Sequence, residues 1–258
     1  MLTAAGGVSE GAVYRPSLEA AVIAPDAEPS PPGVGVTPDR IIAASPVARA
    51  IHRLILRDFA TTGGPPTTAT LTIAAGHHDL RAALAELHDQ DIICLDDTGA
   101  IRAAYPFSAR PTPHRVDIAD GPTVYAMCAI DALGIADMLD RDVVIRSADP
   151  GTGQPVTVTI RNGRPAWAPG TTVVYVGGLT DASRPDTSCG ATTSATTSAT
   201  TRATTPAADR CCTVMNFFAD RSSAARWQAE HTEVSGVVLD QESALRRAAS
   251  IFGHLLKG

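Results

Sequence analysis

From Ser45 onward the apolar positions fall at helical spacing. Val47, Ile51, Leu54, Ile55 and Phe59 line one face, behind a Ser45-Pro46 pair suited to an N-cap and a first helical position. The Thr, Gly and Pro residues of 61–66 end that helix. A weakly patterned segment over 68–75 leads to a second amphipathic helix over 79–90, with Leu80, Ala83, Leu84 and Leu87 on one face. Two short apolar runs, 92–95 and 100–103, flank Asp96, Asp97, Thr98 and Gly99 and predict a hairpin. Helices followed by a small hairpin predict a winged-helix-like unit over residues 41–103.

Pro106, Pro111, Pro113 and Pro122 mark residues 104–122 as a connector. Beyond it, residues 123–258 predict a second, catalytic unit: a helix over 125–139, strands over 143–147, 156–160 and 172–176, a strand over 211–218, a helix over 222–231, a short strand over 237–239 and a closing helix over 241–256. The predicted fold class is α+β, with a helical N-terminal unit and a mixed unit built on a mostly antiparallel sheet. Two stretches stand apart. Residues 1–40 are rich in Gly and Pro without a sustained apolar period and read as a flexible leader. Residues 191–206 read ATTS, ATTS, ATTR, ATTP, inside a low-complexity insertion at about 187–208. The tetrads are too short in period and too poor in large side chains to fold as a solenoid. They are expected to form a mobile excursion, which a surface loop tolerates at small entropic cost.

The chain has 258 residues, 44% of them hydrophobic, enough apolar surface for one large domain or two small ones. No stretch nears the roughly 18 apolar residues of a membrane span, and the first 14 residues hold no Lys or Arg for a signal-peptide n-region. A soluble cytoplasmic protein with no membrane partner is expected. The 21 basic against 27 acidic residues, net −6, lack the positive excess that phosphate neutralisation demands, so no nucleic acid is expected as partner. The helix over 79–90 carries Arg81 as its sole Arg or Lys, where a DNA-reading helix offers several donors. Lys257 is the only lysine, which argues against Schiff-base chemistry.

Five cysteines, Cys94, Cys128, Cys189, Cys211 and Cys212, are few and odd in number, so free thiols are expected. Two stretches carry the candidate chemistry: Val-Tyr-Ala-Met-Cys-Ala-Ile-Asp at 124–131 and Cys-Cys-Thr-Val-Met-Asn-Phe-Phe at 211–218. On a helix, Cys128 and Asp131 share a face, which sets a thiol beside a proton carrier. On a strand, Cys211 and Cys212 point to opposite faces, so one of the two can join Cys128, and alternation does not say which. Converging thiolates make a soft site, suited to thiophilic metals and unsuited to Mg²⁺ or Ca²⁺. The bland reading is that a cysteine on an apolar helix serves as a small buried hydrophobe. Paired C-x₂-C ligands of structural zinc are absent, as are G-x-S-x-G, G-x-G-x-x-G and Walker loops. His231 and His254 fall on helices as candidate ligands, His77 and His78 have no thiol or acidic partner in sequence reach, Cys94 reads as packing, and Cys189 lies upstream of the tetrads.

These residues resemble the alkylmercury lyases (organomercurial lyases) of bacterial mercury resistance, over roughly residues 45–256. The family's Y-A-x-C-A-x-D segment is matched by Tyr125 to Asp131, its C-x₄-F-F strand by Cys212, Phe217 and Phe218, and a W-x₃-H element by Trp227 and His231. The leader and the tetrads have no counterpart. The resemblance implies protonolysis of a carbon–mercury bond, R–Hg⁺ and a proton giving RH and Hg(II), with no organic cofactor and with external thiols needed for turnover. Carried over residue by residue, Cys128 is the first catalytic cysteine, Asp131 the acid and Cys212, five residues before Phe217, the second cysteine. Cys211 becomes an auxiliary neighbour. Cys128 and Cys212 would hold mercury as substrate and product, with Asp131 as a further ligand. The partners implied are an organomercury compound, small thiols and a mercuric reductase that accepts Hg(II). The competing class is a non-catalytic Hg or Cu(I) binding or sensing protein with a winged-helix module. Asp131 separates the two, because storage needs no proton donor.

Overall fold

The computed structural model describes residues 43–179 and 212–257; the leader, the tetrads, Cys189 and Cys211 lie outside the described residues. Helix α1 (Pro46–Thr62) starts where the sequence predicts, with the Ser45 hydroxyl accepting from the Ala48 N–H and Pro46 in the first turn. Gly63 ends it in the left-handed region at φ 89°, its N–H donating to the Phe59 carbonyl. The weakly patterned segment folds as α2 (Thr68–Ala75), and Asp79 caps α3 (Leu80–Asp89). Glu86 of α3 accepts from the Ser45 N–H at 2.6 Å and from its hydroxyl at 2.7 Å, which ties the start of α1 to α3.

Eight strands follow in one antiparallel sheet: β1 (Ile93–Leu95), β2 (Ile101–Ala104), β3 (Phe107–Ser108), β4 (His114–Ile118), β5 (Thr123–Ala126), β6 (Val143–Ala148), β7 (Pro155–Arg161) and β8 (Arg164–Ala168). Their order is β1-β2-β3-β5-β4-β6-β7-β8. A second antiparallel sheet, in the order β10-β9-β11, is made of β9 (Val173–Leu179), β10 (Phe217–Phe218) and β11 (Val234–Leu239). Helix α4 (Ala129–Leu139) connects β5 to β6, α5 (Arg221–Glu230) connects β10 to β11, and α6 (Gln241–Phe252) follows β11. Helices on antiparallel sheets make this an α+β fold. No described helix is long and apolar enough to cross a membrane.

One apolar cluster runs from Ala44 to Leu255 and joins α1, the large sheet, α4 and α6. Phe59 of α1 stacks on Phe107 of β3, ring centroids 5.2 Å apart, so the N-terminal helices and the sheet share a core. Helix α4 is its centre. Nine of its eleven residues are buried, as expected of a helix that is apolar all round. Gly134 lets α6 approach: a Cβ there would lie 2.3 Å from the Phe252 ring. A second cluster gathers Tyr175, Phe218 and Trp227 between the small sheet and α5.

The structure departs from expectation at four places. Residues 104–122, read as a connector, carry β3 and β4, and the β1–β2 hairpin pairs through β3 into the large sheet. The helix expected over 125–139 begins only at Ala129, because Tyr125 and Ala126 belong to β5 and pair with both β3 and β4. The strand expected over 211–218 is confined to Phe217–Phe218, and residues 212–214 form a turn. Strand β8 is absent from the sequence expectation; it tolerates Pro165 because it is an edge strand, where a missing N–H costs no ladder bond.

Candidate active site

Strand β5 lies inside the large sheet, between β3 and β4, and carries the chain to Cys128. Cys128 is not inside α4. It is the extended N-cap, φ −153° and ψ 180° to within a degree, with its sulfur accepting from the Asp131 N–H at 3.4 Å. Ser, Thr, Asp or Asn would cap better, since sulfur is a weak acceptor. A thiol here therefore gives up some capping energy. The geometry still meets the sequence expectation in effect, because the N-cap and third helical residue face one another at a helix start. Asp131 is buried in the first turn of α4, among apolar neighbours.

Cys212 arrives from the other side, in the turn before β10. Its segment is fixed at three points: the Met215 carbonyl accepts from the Ala129 N–H at 3.0 Å, the Asn216 carbonyl accepts from the Tyr175 N–H at 2.9 Å, and the Ala219 N–H donates to Asp149 at 2.8 Å. The Cys212 thiol lies 3.8 Å from the Asp131 carboxylate and donates to it. The ligand atoms of Cys128, Asp131 and Cys212 all lie within 4.8 Å of one another, and all three residues are buried. Among the described residues this is the group of His, Cys, Asp and Glu side chains placed to hold an ion.

Burial sets the protonation of the three groups. It raises Asp131 from an ordinary 3.8 to about 7, against the pull of hydrogen bonds from Cys128 and Cys212. Burial, reinforced by the Cys212 thiol and the charge of Asp131, lifts Cys128 well above a free thiol. For Cys212 the hydrogen bond with Cys128 lowers the pKa, but burial and the charges of Asp131 and Asp91 outweigh it and the thiol is raised. These surroundings favour protonated thiols beside a carboxyl poised to gain or lose its proton at neutral pH. A soft cation that binds sulfur would displace the thiol protons, and the carboxyl is placed to receive one and pass it on.

Residues that the motifs did not single out hold this arrangement. Asp149, fully buried, accepts from the N–H groups of Gly151, Thr152 and Ala219, clamping the β6–β7 turn to the end of β10. His114 of β4 bonds Ser147 through Nδ1 at 3.0 Å and meets the Phe217 ring edge-on. Burial, partly offset by Asn216, holds this imidazole down at about 4 and therefore neutral. The other sequence candidates do not join the site. His231 stacks on Trp227, with Nδ1 at the Trp227 carbonyl, and Cys94 is buried in β1 against the Arg102 guanidinium. Neither they nor His254, His77 and His78 belong to the dithiol–carboxyl group.

The model of one protein family, described as alkylmercury lyase, matches residues 107–200 and 182–253, more than half of the chain and all three site residues. The chain belongs to the alkylmercury lyase family. Among curated relatives, the alkylmercury lyase of Staphylococcus epidermidis is 29% identical over 154 residues, which is 59% of this chain and 60% of that enzyme. The alkylmercury lyases of Bacillus cereus and Clostridium butyricum are each 25% identical over 190 residues, 73% of this chain and 69% of theirs. A solved structure, the crystal structure of the mercury-bound form of MerB2, superposes with a TM-score of 0.63 over 84% of this chain and 95% of that one, at 24% identity, and shares the fold. In this member of the alkylmercury lyase family the two matched ranges meet at the site: the first carries Cys128 and Asp131, the second Cys212.

Proposed function

We propose that the protein cleaves the carbon–mercury bond of organomercury compounds, giving a hydrocarbon and Hg(II). The observation that carries this reading is the convergence of two thiols and a carboxyl poised near pH 7 in one apolar enclosure. The reaction balances with these groups alone. The Cys128 thiol exchanges onto mercury and its proton leaves with the displaced ligand. Asp131, as carboxylate, takes the proton of Cys212 as that sulfur binds the metal. Two sulfur donors push electron density onto mercury and make the bound carbon more basic. Asp131 then delivers its proton to that carbon, the carbon–mercury electron pair forms the new C–H bond, and Hg(II) stays on Cys128 and Cys212. External thiols release it by exchange, to a small thiol or to a mercuric reductase, and the reaction is assigned to the cytoplasm, where such thiols are abundant. Sequestration without cleavage would have no use for an acid held near pH 7 between the sulfurs.

The test is hydrocarbon release from methylmercury or phenylmercury with excess thiol. Cys128→Ala and Cys212→Ala should each abolish release, Asp131→Asn should hold mercury but cleave it slowly, and Cys211→Ala should keep most of the activity. Full activity in Cys212→Ala would refute the assignment of the second sulfur, and wild-type turnover in Asp131→Asn would remove the acid.

A further inference from the structure

Helices α4 and α6 pack side by side and run in the same direction. Phe252 lies on Gly134, Gly253 lies against Asp137, and Lys257 reaches the Asp137 carboxylate at 3.4 Å. Counting back five residues along each helix from the Phe252–Gly134 contact brings Arg247 level with Ala129, beside the end of α4 that Cys128 caps. The Nε of Arg247 is buried with no hydrogen-bond partner, and no ion pair found among the described residues includes this guanidinium. Burial pulls the Arg247 pKa below its usual value, and the charge of a Cys128 thiolate works against that pull. A partly buried cation with no counter-ion among the described residues costs stability before mercury binds.

The charge count of the reaction supplies the explanation. Before cleavage, two thiolates and R–Hg⁺ sum to −1 with Asp131 protonated. After cleavage, two thiolates and Hg²⁺ sum to zero with Asp131 ionised, again −1. We propose that Arg247 provides the positive charge that balances the mercury-loaded site, making it a positioning residue for the bis-thiolate and not a ligand. The proposal rests on the reading of the site as a mercury site. It assigns Arg247 a role that appears only when the metal is bound.

The experiment compares full-length wild type, Arg247→Met, Arg247→Gln and Arg247→Lys by two readouts. The first is the urea midpoint of the mercury-free protein. The second is Hg(II) retention in equilibrium dialysis against increasing glutathione, with bound mercury measured directly. Removing an unpaired buried donor should leave the mercury-free midpoint of Arg247→Met unchanged or higher. Arg247→Met and Arg247→Gln should both surrender Hg(II) at about tenfold lower glutathione, the scale of one nearby charge in a partly solvated interior. Arg247→Lys should stay within about threefold of wild type. Retention equal to wild type in both neutral variants would overturn the proposal, as would a loss of retention in Arg247→Lys equal to that of Arg247→Gln. Failure of the wild type itself to hold Hg(II) would instead overturn the mercury reading on which the proposal stands.

Discussion

Asp131→Asn isolates the energetic cost of the acid. The amide keeps the size of the side chain and the N–H that caps onto Cys128, but it cannot ionise. In the native protein, burial raises the carboxyl from 3.8 to about 7, so the folded state holds the proton more tightly than the unfolded chain does. A raised carboxyl leaves stability intact below its unfolded value and removes it progressively as pH rises through the folded value. At about 1.4 kcal/mol per tenfold, the wild type forfeits almost nothing at pH 3, about 1.7 kcal/mol at pH 5 and about 4 kcal/mol at pH 8. Asparagine forfeits none of it. Whatever fixed amount the amide adds or subtracts is independent of pH, so the slope of the difference carries the answer. Urea unfolding of both proteins, with thiols kept reduced, should show Asp131→Asn gaining on wild type by about 4 kcal/mol between pH 3 and pH 8. Parallel stability curves would mean that the carboxyl is solvated and ordinary, and the proposed acid would lose its physical basis.

Gly134→Ala should lower stability by about 2 kcal/mol, because the new Cβ would meet the Phe252 ring at 2.3 Å and force α6 from α4; an unchanged urea midpoint would refute this packing. Asp149→Ala strands the buried N–H groups of Gly151, Thr152 and Ala219 and should cost about 3 kcal/mol. Burial works against ionisation of Asp149, but its donors outweigh it and hold the carboxyl below the usual range, so the difference from wild type should shrink as pH falls below about 4. His114→Gln should flatten the acid limb of the stability curve. A neutral imidazole held at about 4 makes the wild type lose stability as pH falls from about 6.5 toward 4, to a limit of about 3 kcal/mol.

The elements that the sequence made legible are those set by local rules. Ser45 and Pro46 begin α1 and Asp79 begins α3, each by a side chain acting on its own helix. The three candidate residues that converge were legible because short words carried them, although their geometry differs from the one that the spacing predicts. Cys128 caps the helix from outside, and strand alternation does not bear on Cys212, which sits in a turn. Residues 104–126 were hardest. Their strands are two to five residues long, broken by Pro106, Pro111, Pro113 and Pro122, and they exist because neighbouring strands accept their hydrogen bonds. Asp149, His114 and Arg247 were silent for the same reason. Each matters through what lies across space from it: the end of β10, the Phe217 ring and the start of α4. An aspartate before Pro150-Gly151 reads as a turn residue, and an Arg on an amphipathic helix reads as solvated.

The claim that protein protons cleave a carbon–mercury bond is tested most directly by single turnover in D₂O. Protein equilibrated in D₂O is mixed with an equimolar phenylmercuric salt, the hydrocarbon is analysed by mass spectrometry, and excess thiol is added only after the bound mercury has been measured. The account predicts singly deuterated benzene, one molecule per mercury, with Hg(II) retained on the protein until thiol removes it. Undeuterated benzene, or mercury bound with its phenyl group intact, would contradict it.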